Sequence, residues 1–341
     1  MSALAKLTAH LPGVTVAVVI AVGATLVGKA FPLVGGPVTG IVAGVVIAAL
    51  VKPGPRFQPG IKTAGKFILQ VSVVILGTQL SLLQVIRVGV SSLPVMLGTL
   101  LVCLVATYLI GRWLGIVGDL RTLIGVGTGI CGASAIAAVT PVIGAAEVAV
   151  TYAISTIFLF NIAAVLAFPM IGHALGMGQH SFGLFAGTAV NDMSSVVAAS
   201  TTYGSAAANY AVVVKLTRTL LIIPICLGLA AITGRKARTD ATATEQPAKS
   251  RVQIHRLVPW FLIGFLILAA ANTVGLVPAS THRGLAEASV FLITVALSAI
   301  GLSTDLPGLR RTGHRPLILG AALWVIVTLT SLGLQAVSGM L

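Results

Sequence analysis

The sequence predicts an all-α integral membrane protein of about eleven transmembrane helices, and three observations carry that expectation. The 341 residues are 57% hydrophobic and only 8% charged, with a mean hydropathy of +1.07. A water-soluble domain carries about 25% charged residues because its surface must be hydrated. The apolar residues also fall into runs near 20 long, the length that crosses roughly 30 Å of hydrocarbon. Finally, the basic residues cluster between those runs rather than within them.

Taken in order, apolar runs bounded by charge, Pro or Gly cover 11–28, 33–51, 63–82, 88–110, 122–142, 148–169, 182–200, 209–232, 257–276, 287–304 and 316–338. The first follows Lys6 and has no small-x-small cleavage site before Lys29, so it reads as a retained helix rather than a secretory signal. The 182–200 run is short and polar, and both a full span and a re-entrant segment fit it. Gly234–Arg256, containing TDATATEQPAKSR, has no apolar face to bury. It divides the chain into an eight-span body (1–232), a cytoplasmic linker (233–256) and a three-span C-terminal part (257–341).

The net charge of +14 has a positional meaning. Lys and Arg interleaved with aromatics would suggest a nucleic-acid binder, but aromatics make up 5% here and the basic residues flank apolar runs, which excludes that class. Counted along eleven spans, one side collects sixteen Lys and Arg, the other only Lys29, Arg87 and Arg283, and two lie inside the eighth span. By the positive-inside rule the N-terminus is cytoplasmic and the C-terminus outside, in a multi-pass plasma-membrane protein. Cys103, Cys131 and Cys226 sit in apolar segments without CxxC spacing or a His cluster, so neither a disulfide framework nor a metal site is expected.

Two internal matches suggest repeats. An offset of 222 lays Val71–Gly111 over Ile293–Gly333 and pairs Pro94 with Pro316, Gly98 with Gly320 and Gly111 with Gly333. Seven spans separate these copies, so they would run in opposite directions, as the inverted repeats of secondary transporters do. An offset of 60 lays GTGICGAS (Gly127–Ser134) over GTAVNDMS (Gly187–Ser194). Eleven full spans make these two parallel unless one is re-entrant.

Charge inside hydrocarbon costs at least about 2.5–3.5 kcal/mol per residue and needs a partner or a use. Asp192 in the seventh run and Lys215 and Arg218 in the eighth meet that description. Three positions apart, the two cations share a helix face. One carboxylate cannot neutralise both, so they fit either an anion or proton-coupled site or a salt-bridge clamp between the two spans. The glycines of Gly127–Ala138 loosen a helix and allow a half-helix N-terminus to hold an anion, although close packing through small residues reads equally well. Gly127, Thr128, Gly129, Cys131, Gly132 and Ser134 form one candidate wall; Asn191, Asp192, Ser194 and Ser195 form the other. Gln79 is a polar lining or interhelical residue. Glu147, Asp305 and the histidines His173, His180, His282 and His314 fit interfaces and loops. No HExxH, GxSxG or carboxylate pair within one span points to an enzyme.

At these residues the chain resembles the YeiH-type family of bacterial membrane proteins, to which sulfate export is ascribed. The resemblance rests on GTGICGASAIAAVTPVI (Gly127–Ile143), FGLFAGTAVNDMSSVVAAS (Phe182–Ser200), AVVVKLTRTLLIIP (Ala211–Pro224) and AIGLSTDL (Ala299–Leu306). Family members commonly carry His where Asn191 stands, and Asn cannot relay a proton. More distantly the family is similar to the sodium/proton antiporter and bile-acid symporter superfamily. That similarity implies two broken helices crossing near the midplane between inverted repeats, and elevator-type alternating access. The resulting expectation is a secondary active transporter of a small anion, sulfate or a sulfonate. Its partners are the anion and the lipid bilayer, with a homodimer compatible; no cofactor is expected beyond a coupling H⁺ or Na⁺ on Asp192. The alternative is a cation/proton antiporter with Asp192 as the ion carboxylate.

Overall fold

The structure, a computed structural model, describes residues 3–30, 35–51, 53–116, 118–240, 259–304 and 313–341, with side chains described outside 3–8 and 234–240. Asp305 and most of the 233–256 linker lie outside the described residues. The described chain is helical throughout. In order it forms α1 (Ala3–Ala30), α2 (Gly35–Leu50), α3 (Gln58–Thr63), a π-helical turn (Ala64–Ile68), α4 (Leu69–Leu76), a 3₁₀ turn (Gly77–Gln79) and α5 (Leu82–Trp113). Next come α6 (Gly118–Gly129), α7 (Ala133–Ile143), α8 (Glu147–Ala174), α9 (Gln179–Ala189), α10 (Met193–Tyr203), α11 (Ser205–Leu220) and α12 (Ile222–Asp240). The last three are α13 (Trp260–Thr273), α14 (Ala279–Leu302) and α15 (His314–Val337).

Among the described residues seven helical stretches are long and apolar enough to cross a membrane: α1, the rod from α3 through the 3₁₀ turn, α5, α8, the α11–α12 pair, α14 and α15. Their polarity is arranged inside out. Leu26, Leu101, Leu109, Met170 and Leu329 are exposed, whereas Ser72, Thr99, Thr156, Asn161 and Gln335 are buried. Lipid solvates the outer faces, so polar groups find their partners only within the bundle.

Close packing sorts the helices into two groups. In the first, α1, α2, α3–α4, α13 and α14 approach through glycines: a Cβ on Gly44 would stand 2.4 Å from the Ser298 carbonyl oxygen, and one on Gly301 2.4 Å from that of Ile41. Hydrogen bonds tie the group together, with Ser289 Oγ donating to Ser72 O at 2.9 Å and Trp260 Nε1 to Gln70 Oε1 at 2.9 Å. The second group is α5–α12 with α15, and it holds the largest apolar core. Packing therefore divides the three C-terminal helices: α13 and α14 join the first group and α15 the second.

Within the second group the 122–142 and 182–200 runs are not spans, which corrects the eleven-span expectation. Gln179 Oε1, at the start of α9, accepts from Ala206 N and Ala207 N at the start of α11, and Tyr203 at the end of α10 donates to Met177 O and stacks on Phe182. The segment thus enters and leaves at one end of the bundle. For α6–α7 the argument is one of direction. Leu319 lies by Gly111 and Leu334 by Gly98, so α5 and α15 are antiparallel. Gly320 meets Thr156 and Phe160 while Trp324 stacks with Phe168, so α8 and α15 are parallel. Then α5 and α8 are antiparallel, and the segment between them turns back instead of crossing. A Cβ on Gly127 would lie 3.1 Å from the side chain of Ile136, nine residues on, which shows the fold directly. Each arm of 11 or 12 residues is about 16–18 Å long, half a bilayer. Broken helices are present, but as two hairpins entering from opposite ends and meeting at their tips, not as crossing rods.

This arrangement predicts sidedness. Single cysteines at Gly115 and Ala145 label from the same side with a membrane-impermeant maleimide, and one at Gly178 labels from the other. The three native cysteines are buried and give little background. Eleven full spans would put Gly115 and Ala145 on opposite sides.

Candidate functional site

The hairpin tips are built from residues that cannot continue a helix. Ile130, Cys131 and Gly132 close the first; Gly132 has φ +68° and ψ −134°, where a Cβ is strained, and a Cβ there would also lie 2.7 Å from that of Asp192. Val190, Asn191 and Asp192 close the second, with Val190 and Asp192 extended at ψ 138° and 163°. The tips therefore touch, glycine against aspartate.

A helix that ends in a buried place leaves carbonyls at its own C-terminus and N–H groups at the N-terminus of its successor. Lys215 Nζ donates to Val190 O at 2.8 Å, and Arg218 Nη1 donates to Thr188 O. Both cations are fully buried and serve the carbonyl end of α9, where the helix dipole adds about half a negative charge. Asp192 serves the other end as N-cap of α10: its Oδ1 accepts from Ser195 N at 2.8 Å and Ser194 Oγ at 2.6 Å. The two cations share a face of α11, as their spacing implied, but what they meet there is the backbone of α9 and its C-cap rather than Asp192. The clamp with Asp192 did not form: among the described residues the one ion pair within 4 Å is the exposed Arg283–Glu287.

Asn161, in the middle of α8, completes the second tip and was missed in the sequence. Its Nδ2 donates to Asp192 Oδ2 at 2.9 Å and its Oδ1 accepts from Asn191 N at 3.3 Å. A single Asn, the one carboxamide in the mainly apolar 148–169 run, was the available signal. Thr188 Oγ1 and Ser331 Oγ lie 2.7 Å apart, and Gln335 Nε2 donates to Ser331, which ties α9 to α15.

The candidate residues divide between the tips. Gly127, Thr128, Gly129, Cys131 and Gly132 are buried in the first hairpin, with Gly127 against Ile157 and Gly129 against Leu100 and Cys103. Ser134 is exposed at the start of α7, whose N-terminus has no side-chain cap. Asn191, Asp192, Ser194 and Ser195 line the second tip. Gln79 instead donates to His282 O and acts between helices of the first group. Glu147 is exposed at the start of α8, and His173 and His180 face the rings of Tyr203 and Tyr210. No cluster of three metal-ligating side chains occurs among the described residues. The arrangement presents two half-helix N-termini, α7 and α10, where Gly132 meets Asp192, beside two buried cations and one half-buried carboxylate.

A family profile described as Conserved hypothetical protein 698 matches residues 12–320. A UPF0324 membrane protein of Streptococcus pyogenes is 40% identical over 334 residues, covering 97% of this chain and 98% of the relative. The chain belongs to the UPF0324 membrane-protein family. Another UPF0324 membrane protein, from Streptococcus mutans, is also 40% identical over 334 residues with the same coverage. One from Fusobacterium nucleatum is 38% identical over 348 residues, covering 96% of this chain and 98% of its own. The matched length includes both hairpins, so this UPF0324 protein aligns with its relatives through the whole site.

Asn161→Ala removes the partner of a half-buried carboxylate oxygen and of a buried backbone N–H. An unsatisfied buried group costs about 1–3 kcal/mol. The variant is expected to melt below the wild type in detergent, whereas alanine at Thr151, exposed on the same helix, is not; equal melting of N161A and wild type would contradict the bridging role.

Proposed function

We propose that this protein is a secondary active transporter of a small anion, sulfate or a sulfonate, working by elevator-type alternating access. The observation that carries the reading is the meeting of two half-helix hairpins from opposite ends of the bundle. Irregular backbone survives at membrane depth where it is buried in protein or lines a cavity, and half-helix N-termini in transporters point at anionic substrate groups. The uncapped start of α7, Ser134, and the Lys215–Arg218 pair supply positive potential and donors at that place.

The repeat matches support an inverted architecture. The offset of 60 aligns Gly129 with Ala189 and Ala133 with Met193, which are the last residues of the entering arms and the first of the returning ones. Hairpins entering from opposite ends are the relation that an inverted repeat requires. The offset of 222 relates α5 to α15, which pack antiparallel. In this reading the glycine-packed first group is the stationary frame and the second group carries the site. The linker joins them on the cytoplasmic side, with the N-terminus inside and the C-terminus outside a bacterial plasma membrane. A homodimer of frames suits such a cycle, and no chemistry beyond translocation is assigned.

Asp192 is the group to carry a coupling H⁺ or Na⁺. One further observation favours the alternative, a cation/proton antiporter: Asn191 Oδ1 is a buried acceptor without a partner next to Asp192. The two readings separate in one experiment. Purified protein is expected to melt higher in low-millimolar sulfate or methanesulfonate than in chloride of equal ionic strength, a range too dilute for general salting effects. Proteoliposomes are expected to take up radiolabelled sulfate. Stabilisation by Na⁺ and dependence on pH, with no response to any oxyanion, would replace the anion transporter by the antiporter.

A further inference from the structure

Two cations one helical turn apart need not do the same work. Lys215 directs its ammonium to Val190 O. Arg218 spends only Nη1 on the protein, at Thr188 O, while its Nε and Nη2 are buried with no partner. Those two atoms form one edge of the guanidinium, where two N–H bonds point the same way. The residue is fully buried, so water does not reach this edge from the surface. Among the described residues no carboxylate lies within 4 Å of Arg218, and Asp192 is engaged instead by Asn161, Ser194 and Ser195.

Leaving two donors of a buried cation unsatisfied is costly, and removing a partner from such a group is among the more destabilising changes known. A parallel pair of N–H bonds matches two oxygens bound to one centre, the bidentate geometry that distinguishes Arg from Lys. We propose that the Nε–Nη2 edge of Arg218 is the anion-gripping group of the site, and that it selects a ligand presenting two oxygens on one atom: sulfate, a sulfonate or a carboxylate, but not a halide. Lys215 is a positioning residue that holds the carbonyl end of α9. This inference rests on the anion-transporter reading and names the group by which that site would tell an oxyanion from a halide.

The site's own chemistry supports the division of labour. The Thr188 carbonyl that Nη1 grips belongs to the residue whose hydroxyl contacts Ser331, so the guanidinium plane is anchored on α9 and α9 in turn on α15. An anchored plane leaves its free edge in a defined direction, which is what a bidentate receptor needs.

The test is anion binding by wild type and Arg218→Lys in detergent, measured by melting and by calorimetry, with sulfate, methanesulfonate, acetate and chloride at equal ionic strength. Lysine keeps the charge and a donor for Thr188 O but loses the paired edge. Wild type is expected to bind the three oxyanions and not chloride, and R218K to lose at least about tenfold in oxyanion affinity while melting as a monodisperse protein. Should R218K fail to fold, the wild-type series alone decides, since chloride binding as tight as sulfate binding overturns the inference. Oxyanion binding that R218K retains overturns it as well, with the transporter reading intact. If wild type binds no anion, the transporter reading itself fails and this inference with it.

Discussion

The structure depends on a constraint of the lipid phase: no backbone N–H or C=O can be left to water at the centre of the bundle. A helix interrupted at Val190–Asp192 frees carbonyls on one side and N–H groups on the other. Each is answered by a side chain of the matching charge. Lys215 and Arg218 hold the carbonyls of Val190 and Thr188, and Asp192 holds the first turn of α10. The three membrane-embedded charges are therefore first a solution to a backbone problem. Because that solution is made by α8, α9, α11 and α15 together, it also fixes where the second tip sits and what faces the first.

The two tips solve the same problem differently. The second uses charge; the first uses glycine. At Gly132 the chain turns through a positive φ with its N–H returned to Gly127 O at 2.9 Å, and the next turn has no side-chain cap. One hairpin thus arrives with its backbone neutralised by side chains and the other with an open N-terminus. The asymmetry gives the pair a polarity that two identical hairpins would lack. It also explains why Asp192 can approach Gly132 so closely, since any side chain there would collide with the aspartate Cβ.

The apolar runs fall on the long helices of the described chain but not on the short α3, because lipid solvation imposes a compositional signal on any helix that meets it. The turning back of 122–142 and 182–200 was hidden for an equally physical reason. Changing two full spans into hairpins moves only the short stretches around Gly144–Glu147 and Leu175–His180 to the other side, and neither contains Lys or Arg. The sixteen-to-three asymmetry is the same in both schemes, so the positive-inside rule cannot tell them apart. The crossing of broken helices came from a superfamily resemblance, and the parity of α5, α8 and α15 corrects it. Lys215, Arg218 and Asp192 were visible because charge in hydrocarbon is rare. Their targets were not, since a carbonyl freed by a helix break has no letter in the sequence, and Asn161 passed unnoticed because a single neutral amide carries a smaller desolvation cost than a charge.

Charge conservation connects the proposed substrate to the proposed coupling. With Asp192 ionised, the site holds two positive charges and one negative, a net +1, and the two ends of the α9–α10 break cancel one another to first order. A charge carried fully across the membrane exchanges about 2.3 kcal/mol per 100 mV with the potential. A monovalent sulfonate would neutralise the ionised site outright, so its movement needs no proton. A divalent sulfate would leave it at −1, and restoring neutrality takes one H⁺ or Na⁺ at Asp192, the acid in contact with the opposing tip. The carboxylate that caps α10 is thereby the group whose occupancy decides whether a divalent anion can move as a neutral unit. In the proposed cycle Asn191 beside it cannot relay a proton, which leaves the partly exposed face of Asp192 as the route for a coupling ion.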